Sequence, residues 1–265
     1  IAIAIMTFFG GIFLGQESGF GSLQSYLLFI IAVIALGLFI MVERKRKSPL
    51  IKFAIFKNKI FTLSLLSAVL IFASNFFVNV VIPFYLQDAR KLSASYAGLL
   101  MMVFPLLMVV GAPLSGYLTD KIGPGILTFG GLLLLCCTSL MYMFLDMNSP
   151  IWYYVIATAI MGLGNALFQS PNNTMVMSSV EKQDLGVAGS MNSFARNLGM
   201  VIGIALSTTI LYRGMSEAYG ERVTTYLANR PDIFIVGMRE TFFVAFLLCV
   251  AAFILTILRF RKTTK

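Results

Sequence analysis

Long apolar runs separated by short polar turns make up most of the chain. A bilayer core of about 30 Å takes about 20 helical residues to cross, so an apolar run of that length predicts a membrane-spanning helix. Eight runs reach or approach this length, and we number them 1 to 8 in chain order. They are 1–15, 24–42, 60–87, 94–118, 125–145, 151–178, 187–212 and 239–258. Run 1 is short and opens without an initiator Met or a basic leader region, so we expect a fragment that lacks an N-terminal part.

Composition indicates an integral membrane protein and changes the meaning of the positive charge. The chain is 58% hydrophobic and 12% charged, and its mean hydropathy is +0.89, values that a soluble domain does not show. A net charge of +9 would suggest nucleic acid in a soluble chain, but the basic residues cluster at the ends of apolar runs, beside anionic headgroups. We expect a lipid bilayer around the chain and no nucleic-acid partner. Cys136, Cys137 and Cys249 fall inside apolar runs, so neither a disulfide, a metal nor a cofactor is predicted.

The distribution of Lys and Arg among the turns predicts the orientation. Thirteen lie on one side and six on the other, and the richer side is cytoplasmic by the positive-inside rule. The cytoplasmic set is Arg44, Lys45, Arg46, Lys47, Lys52, Lys57, Lys59, Lys121, Lys182, Arg259, Arg261, Lys262 and Lys265. The outer set is Arg90, Lys91, Arg213, Arg222, Arg230 and Arg239. We therefore expect a multi-pass protein of a bacterial cell (plasma) membrane with a cytoplasmic C-terminus.

The polar turn between runs 4 and 5, residues 113–125, reads PLSGYLTDKIGPG. Its small and charged positions are Gly116, Asp120, Lys121 and Gly123. A membrane protein tolerates charge only where water or another polar group receives it, so the turn marks a membrane face. The spacing Gly-x-x-x-Asp-Lys-x-Gly resembles the loop signature of the major facilitator superfamily of secondary transporters, although Gly125 stands where a basic residue is usual. The resemblance implies a cytoplasmic gate motif that latches two halves of a transporter; a generic hydrophilic turn is the alternative.

A basic connector follows run 2. Residues 43–59 read ERKRKSPLIKFAIFKNK, which fits an amphipathic segment along the headgroups or a simple positive-inside anchor. The order of acidic residue, basic residues, Pro-Leu and Phe-Lys-Asn resembles the connector before the C-terminal six helices of the fourteen-helix drug:proton antiporters. The resemblance implies an all-α integral membrane fold of about eight transmembrane helices. Residues 1–42 would be two extra inter-half helices, and residues 60–265 the C-terminal six-helix transporter half.

Amide side chains occur at matching places in runs 3 and 6. Run 3 has Asn75 and Asn79 four residues apart, and run 6 has Asn165 and Gln169 four residues apart, each pair followed by a proline. Positions four apart share a helix face, and runs three apart cross the membrane in opposite senses, as in the inverted repeats of transporters. The amides are either satisfied by interhelical hydrogen bonds, at about 0.6 to 2 kcal/mol each, or line a water-filled substrate path.

Run 7 carries one small and polar helical face, formed by Asn192, Arg196, Gly199, Gly203 and Ser207. Arg196 is the only basic residue that the sequence places inside a run, at a cost of about 2.5 to 3.5 kcal/mol. A path-facing or gating role therefore competes with snorkelling to the headgroups. Gly199 and Gly203 form a Gly-x-x-x-Gly step that predicts close helix packing, and residues 186–206 resemble the same helix of the antiporter subfamily. Residues 213–238 predict an outer loop, or an interfacial helix or hairpin.

No acidic residue lies well inside a run; Asp88, Asp146 and Glu240 stand at outer ends. A proton-coupled antiporter needs a titratable carboxylate in its path, which in the family belongs largely to the N-terminal half. The absence of His, of an intramembrane acid pair and of a phosphate-binding Gly loop argues against an enzyme. The resemblance implies a proton-coupled multidrug efflux antiporter of amphipathic, cationic or neutral drugs, working by alternating access with the missing N-terminal half. A single-solute permease and a structural membrane subunit are the alternatives.

Overall fold

The computed structural model describes residues 2–18, 23–45, 53–227 and 230–263. Within these residues nearly all of the chain is helical and no β-strand occurs. Six helical stretches are long and apolar enough to cross a membrane. They are Lys59–Ala89, Ala94–Ile122, Pro124–Met143, Ile151–Ser178, Lys182–Tyr219 and Pro231–Phe260. The predicted all-α integral membrane fold is confirmed.

The chain forms two compact units, Ile1–Ala54 and Ile55–Lys265. The first contains helix α1 (Ala2–Ser18) and helix α2 (Leu23–Lys45), which pack against each other. The rings of Phe8 and Phe29 join them edge to face, with centroids 5.8 Å apart. The apolar part of α2, Leu23–Phe39, is shorter than the six spans. Residues 46–52 of the predicted basic connector lie outside the described residues, which resume at a 3-10 turn, Phe53–Lys57.

The second unit contains the six long spans. Its helices are α3 (Lys59–Pro83), α4 (Ala94–Met101), α5 (Val103–Ile122), α6 (Pro124–Met143), α7 (Ile151–Ser178), α8 (Leu185–Tyr219) and α9 (Pro231–Thr263). A π turn at Phe84–Ala89 prolongs α3, and α4 and α5 make one span interrupted at Met102. Consecutive spans alternate in direction, so α3 and α7 are antiparallel.

Asn58 fixes the start of α3 and ties it to the end of α7. Its Oδ1 accepts hydrogen bonds from the backbone N–H groups of Ile60 at 2.9 Å and Phe61 at 3.4 Å, which are free donors in the first turn of any helix. Its Nδ2 donates to the backbone oxygen of Ser179 at 2.6 Å. We call this end of the bundle, where α3, α6 and α8 begin, the Asn58 end.

Small residues let helix backbones touch. A β-carbon on Gly199 of α8 would lie 2.5 Å from the carbonyl oxygen of Val69 on α3, and one on Gly203 would meet the carbonyl of Ala73. On the other side of the bundle, Gly131 of α6 faces the backbone of α7 in the same way. Such contacts allow close approach without side chains between the helices. The glycine step predicted in run 7 therefore lies at the α3–α8 contact.

Helices α8 and α9 are longer than the hydrophobic runs that predicted them. Helix α8 continues through the polar residues after 212 and ends at Gly220, whose φ of +84° closes the helix in the left-handed region. Helix α9 begins at Pro231, where a proline costs no hydrogen bond. In the described part of 213–238 there is thus no hairpin, because this segment mostly extends α8 and α9. The polar turns of both helices end the apolar pattern before the helix ends.

Candidate functional site

The two amide pairs predicted from runs 3 and 6 meet in the middle of the bundle. The Nδ2 atom of Asn75 donates to Oδ1 of Asn165 at 2.5 Å, and Nδ2 of Asn165 donates back to Oδ1 of Asn75 at 3.1 Å. Both residues are buried. Gln169 Nε2 lies 3.4 Å from the Asn165 oxygen, and Asn79, which is exposed, donates to the backbone oxygen of Asn75 at 3.1 Å. The buried amides therefore satisfy each other, which removes most of the cost of placing them in an apolar interior.

An open cleft of about 320 Å³ lies beside this amide cluster. Helices α3, α5, α7 and α8 contribute its walls, and Gln169 belongs both to the cleft and to the amide cluster. The lining residues are Ala68, Phe72, Met108, Ala112, Phe168, Gln169, Ser170, Asn172, Asn173, Asn192 and Arg196. Amides, a hydroxyl and a guanidinium thus share the cleft with two phenyl rings and a methionine. Small-molecule sites combine polar and apolar groups in this way.

Arg196 stands in this cleft and not at a helix end. It lies 11 residues beyond Leu185, the first residue of α8, or about 16 Å along the helix. Its side chain is exposed, its Nη2 is 3.3 Å from Oγ of Ser193, and its guanidinium lies over the ring of Phe72, 5.9 Å from the centroid. One turn earlier, Asn192 donates from Nδ2 to Oδ1 of Asn173 at 2.8 Å and links α8 to α7. Asn192 and Arg196 of the face predicted for run 7 therefore border the cleft, whereas Gly199 and Gly203 of the same face contact α3.

The predicted gate motif forms the end of α5 and the start of α6. Gly123 has φ +86° and ψ 150°, a conformation open to glycine but strained for other residues, and Pro124 then begins α6. Lys121 lies over the ring of Tyr117 at 4.5 Å. Asp120 is exposed, and within the described part of the chain no hydrogen bond to its carboxylate is found. Gly116 faces α7, since a β-carbon there would contact Oγ of Ser170 at 3.7 Å. The latch to another half stays a prediction.

A buried basic residue was missed by the sequence. Arg259 near the end of α9 is 1% exposed, and its Nη1 donates to Oγ of Ser64 on α3 at 2.8 Å and to Oδ1 of Asn172 on α7 at 3.1 Å. Asn172 in turn donates to the backbone oxygen of Ser64 at 3.2 Å. We call these three residues the Arg259 node. The expectations that Arg259 is a loop cation and that Arg196 is the only basic residue inside a span were wrong.

The burial of Arg259 could not be predicted because the residue follows the end of an apolar run. The sequence pattern of one helix does not show which polar groups the neighbouring helices place at the same depth. The signal that was present is the polar pair itself: Ser64 and Asn172 stand at similar distances from the Asn58 end on antiparallel helices. Asn172 also lines the cleft. The node therefore connects the cleft to the final turns of α9.

The opposite end of the bundle is closed by a second polar network. Tyr85 donates its hydroxyl to the backbone oxygen of Asp146 at 2.7 Å, and Arg90 Nη1 donates to the backbone oxygen of Ser149 at 2.5 Å. The Asp146 carboxylate accepts hydrogen bonds from the N–H of Asn148 at 2.8 Å and from the Ser149 hydroxyl at 3.1 Å. These bonds hold the pKa of Asp146 below its usual value. The end of α3 is thereby joined to the loop between α6 and α7.

Alternating membrane-spanning helices around a polar cleft, with matching amides on antiparallel helices three spans apart, are the architecture of a secondary transporter. The chain belongs to the Major Facilitator Superfamily, whose family model matches residues 1–204 and 64–265. It is a multi-pass membrane protein of a transporter family.

Curated bacterial transporters are similar to the chain. It is 29% identical to the riboflavin transporter RibZ of Clostridioides difficile (strain 630), over 89% of this chain and 50% of RibZ. It is 29% identical to the multidrug transporter protein MdtP of Bacillus subtilis (strain 168), over 82% of this chain and 40% of MdtP. It is 33% identical to the uncharacterized transporter YebQ of Escherichia coli (strain K12), over 76% of this chain and 45% of YebQ. The chain thus spans about half the length of the curated relatives it matches.

Proposed function

We propose that the chain is the C-terminal part of an alternating-access exporter that exchanges amphipathic small molecules for protons. The observation that carries the proposal is the cleft of about 320 Å³ beside the Asn75–Asn165 pair, because it places polar groups and aromatic walls at mid-depth in a membrane bundle. Water and a small molecule can enter such a cleft, whereas lipid tails gain nothing from its amides. Gln169, Asn192 and Arg196 of the cleft then belong to the substrate path, together with Asn75, Asn79 and Asn165 of the amide cluster.

Relatives that are named as multidrug proteins support the efflux part of the proposal. MdtP carries such a name, and so does the multidrug resistance protein Stp of Mycobacterium tuberculosis (strain CDC 1551 / Oshkosh), which is 25% identical over 76% of this chain. A permease for one defined solute is the second candidate, and the match to the riboflavin transporter RibZ over 89% of this chain favours it. Neither candidate is an enzyme.

The proposal also includes an N-terminal half of the transporter, which we expect to contact the six-helix unit. We place the six-helix unit beside an N-terminal half, with Asp120 and its neighbours as the latch between them, and assign proton binding to carboxylates of that half. The Asn58 end faces the cytoplasm of a bacterial cell in this arrangement, since it carries most of the basic residues. The C-terminus then lies on the same side.

Everted membrane vesicles containing the full-length transporter test the proposal. With a proton gradient, a fluorescent substrate should accumulate inside the vesicles, and adding substrate should release protons in the opposite direction. Collapsing the pH gradient should stop dye movement. Dye movement that continues at the same rate after collapse would exclude proton antiport, and movement of riboflavin alone among many compounds would favour the permease.

A further inference from the structure

The charge of the cleft lining is positive. Arg196 is the one charged side chain among its lining residues in the described part of the chain. The nearest acidic residues along α8, Glu181 and Asp184, precede the helix at the Asn58 end and do not line the cleft. A bound molecule therefore meets a positive guanidinium and neutral amides, without a carboxylate from these residues.

The guanidinium of Arg196 keeps most of its hydrogen-bonding capacity. Arginine has five N–H donors, and among the described residues Arg196 contacts the Ser193 hydroxyl at 3.3 Å and the face of Phe72. The ion pairs found in the described residues, Arg213–Glu217 and Arg230–Asp232, do not include it. A group in the cleft can thus approach the guanidinium fork, which matches carboxylate and phosphate geometry.

Two further features surround this cation. The Asn173 oxygen is used by Asn192, which leaves the Asn173 amide nitrogen as a second donor at the same wall. The half-buried ring of Phe72 lines the cleft as a flat apolar surface, whereas the ring of Phe168, which also borders the cleft, is fully buried. Donors beside aromatic faces bind a ring that carries an accepting group at its edge.

We propose that this cleft binds aromatic organic anions, with a carboxylate, sulfonate or phosphate group on Arg196 and the ring against Phe72. The proposal rests on the proposed transport function and specifies its substrate class. It differs from the cationic or neutral drugs implied by the family resemblance. A cation of the same shape is repelled by Arg196 and finds no carboxylate among the described residues of this cleft.

Two xanthene dyes of similar size and opposite charge test the substrate class. Carboxyfluorescein is the anionic probe and rhodamine 123 the cationic one, and their binding to the purified full-length transporter is followed by fluorescence anisotropy. Arg196→Gln should weaken carboxyfluorescein binding about 10- to 100-fold, the loss expected for a charge-assisted hydrogen bond. Arg196→Lys should retain part of the affinity. Arg213→Gln, at an exposed residue paired with Glu217, is the matched control and should leave both dyes unaffected.

Rhodamine 123 binding more tightly than carboxyfluorescein to the unmodified transporter would overturn the proposal. So would carboxyfluorescein affinity that changes by less than about twofold in Arg196→Gln. Because the binding assay uses no gradient, it separates the two claims. Loss of gradient-driven transport of every dye, with Arg196-dependent carboxyfluorescein binding intact, would contradict the transport function and leave the binding site. Proton-driven export of rhodamine 123 with no carboxyfluorescein binding would support the transport function and contradict the anion-binding site.

Discussion

Replacing Arg259 with methionine should destabilise the bundle more than the same replacement at an exposed arginine. The guanidinium joins the last turns of α9 to Ser64 on α3 and Asn172 on α7 through hydrogen bonds of 2.8 and 3.1 Å. Methionine fills a similar volume but donates nothing. The oxygens of Ser64 and Asn172, both of which are buried residues, then lose a charged donor.

The expected loss of stability follows from the polar atoms that stay buried after the substitution. Hydrogen bonds to charged groups contribute about 1.5 to 3 kcal/mol each, and a buried polar atom left without a partner costs about 1 to 3 kcal/mol. Removing the buried cation also removes its own desolvation cost, which offsets part of this loss. A net decrease of about 3 kcal/mol in the free energy of unfolding is our expectation for Arg259→Met. Arg259→Lys keeps the charge but lacks the planar guanidinium, so its free energy of unfolding should lie between those of the unmodified protein and Arg259→Met.

Reversible unfolding of the full-length transporter in mixed micelles measures this decrease, with Arg213→Met as control. Arg213 is exposed and pairs with Glu217 one turn away, so its replacement should change stability by less than about 0.5 kcal/mol. A double-mutant cycle between Arg259→Met and Asn172→Leu should give a coupling of about 1.5 kcal/mol or more. The reasoning is refuted if Arg259→Met is as stable as the unmodified protein, or if the coupling is near zero.

Three further changes test the packing and the amide cluster by the same unfolding measurement. Asn165→Leu should lower stability by about 1 to 2 kcal/mol because Asn75 loses its partner, while the double change with Asn75→Leu should cost less than the sum of the single ones; strict additivity would contradict the pairing. Gly203→Ala should cost about 1 to 3 kcal/mol because its methyl group meets the carbonyl of Ala73, whereas Gly98→Ala, with open space around it, should be neutral or stabilising. Gly123→Ala should cost about 1 to 3 kcal/mol because of the φ of +86°; an unchanged stability would show that the turn relaxes.

The sequence predicted most of the fold because apolar length alone sets the number of spans. It also singled out the residues of the amide cluster, since Asn75 and Asn165 stand out against apolar neighbours. The antiparallel directions of α3 and α7 followed from the order of the two runs, but the direct contact between Asn75 and Asn165 was not predicted. The glycine step of run 7 carried its own packing signal, and Gly199 and Gly203 lie at a backbone contact.

The sequence failed where tertiary partners decide the outcome. Arg259 looked like a headgroup anchor because charged residues close to the end of an apolar run usually are, and its acceptor on Ser64 lies 195 positions away along the chain. The ends of α8 and α9 were placed too early because hydrophobicity stops where the bilayer stops, whereas a helix continues until a residue such as Gly220 ends it. The volume of the cleft and the exposure of Arg196 within it also required the packed bundle.

Backbone contact at Gly199 and Gly203 has a consequence for motion. With no side chain between α3 and α8, sliding one helix along the other forces an α-carbon into a carbonyl group. In the proposed transport cycle, α3 and α8 should therefore move as one rigid pair. Phe72 and Arg196 would then keep their separation, and a change of access to the cleft would come from its other two walls, α5 and α7.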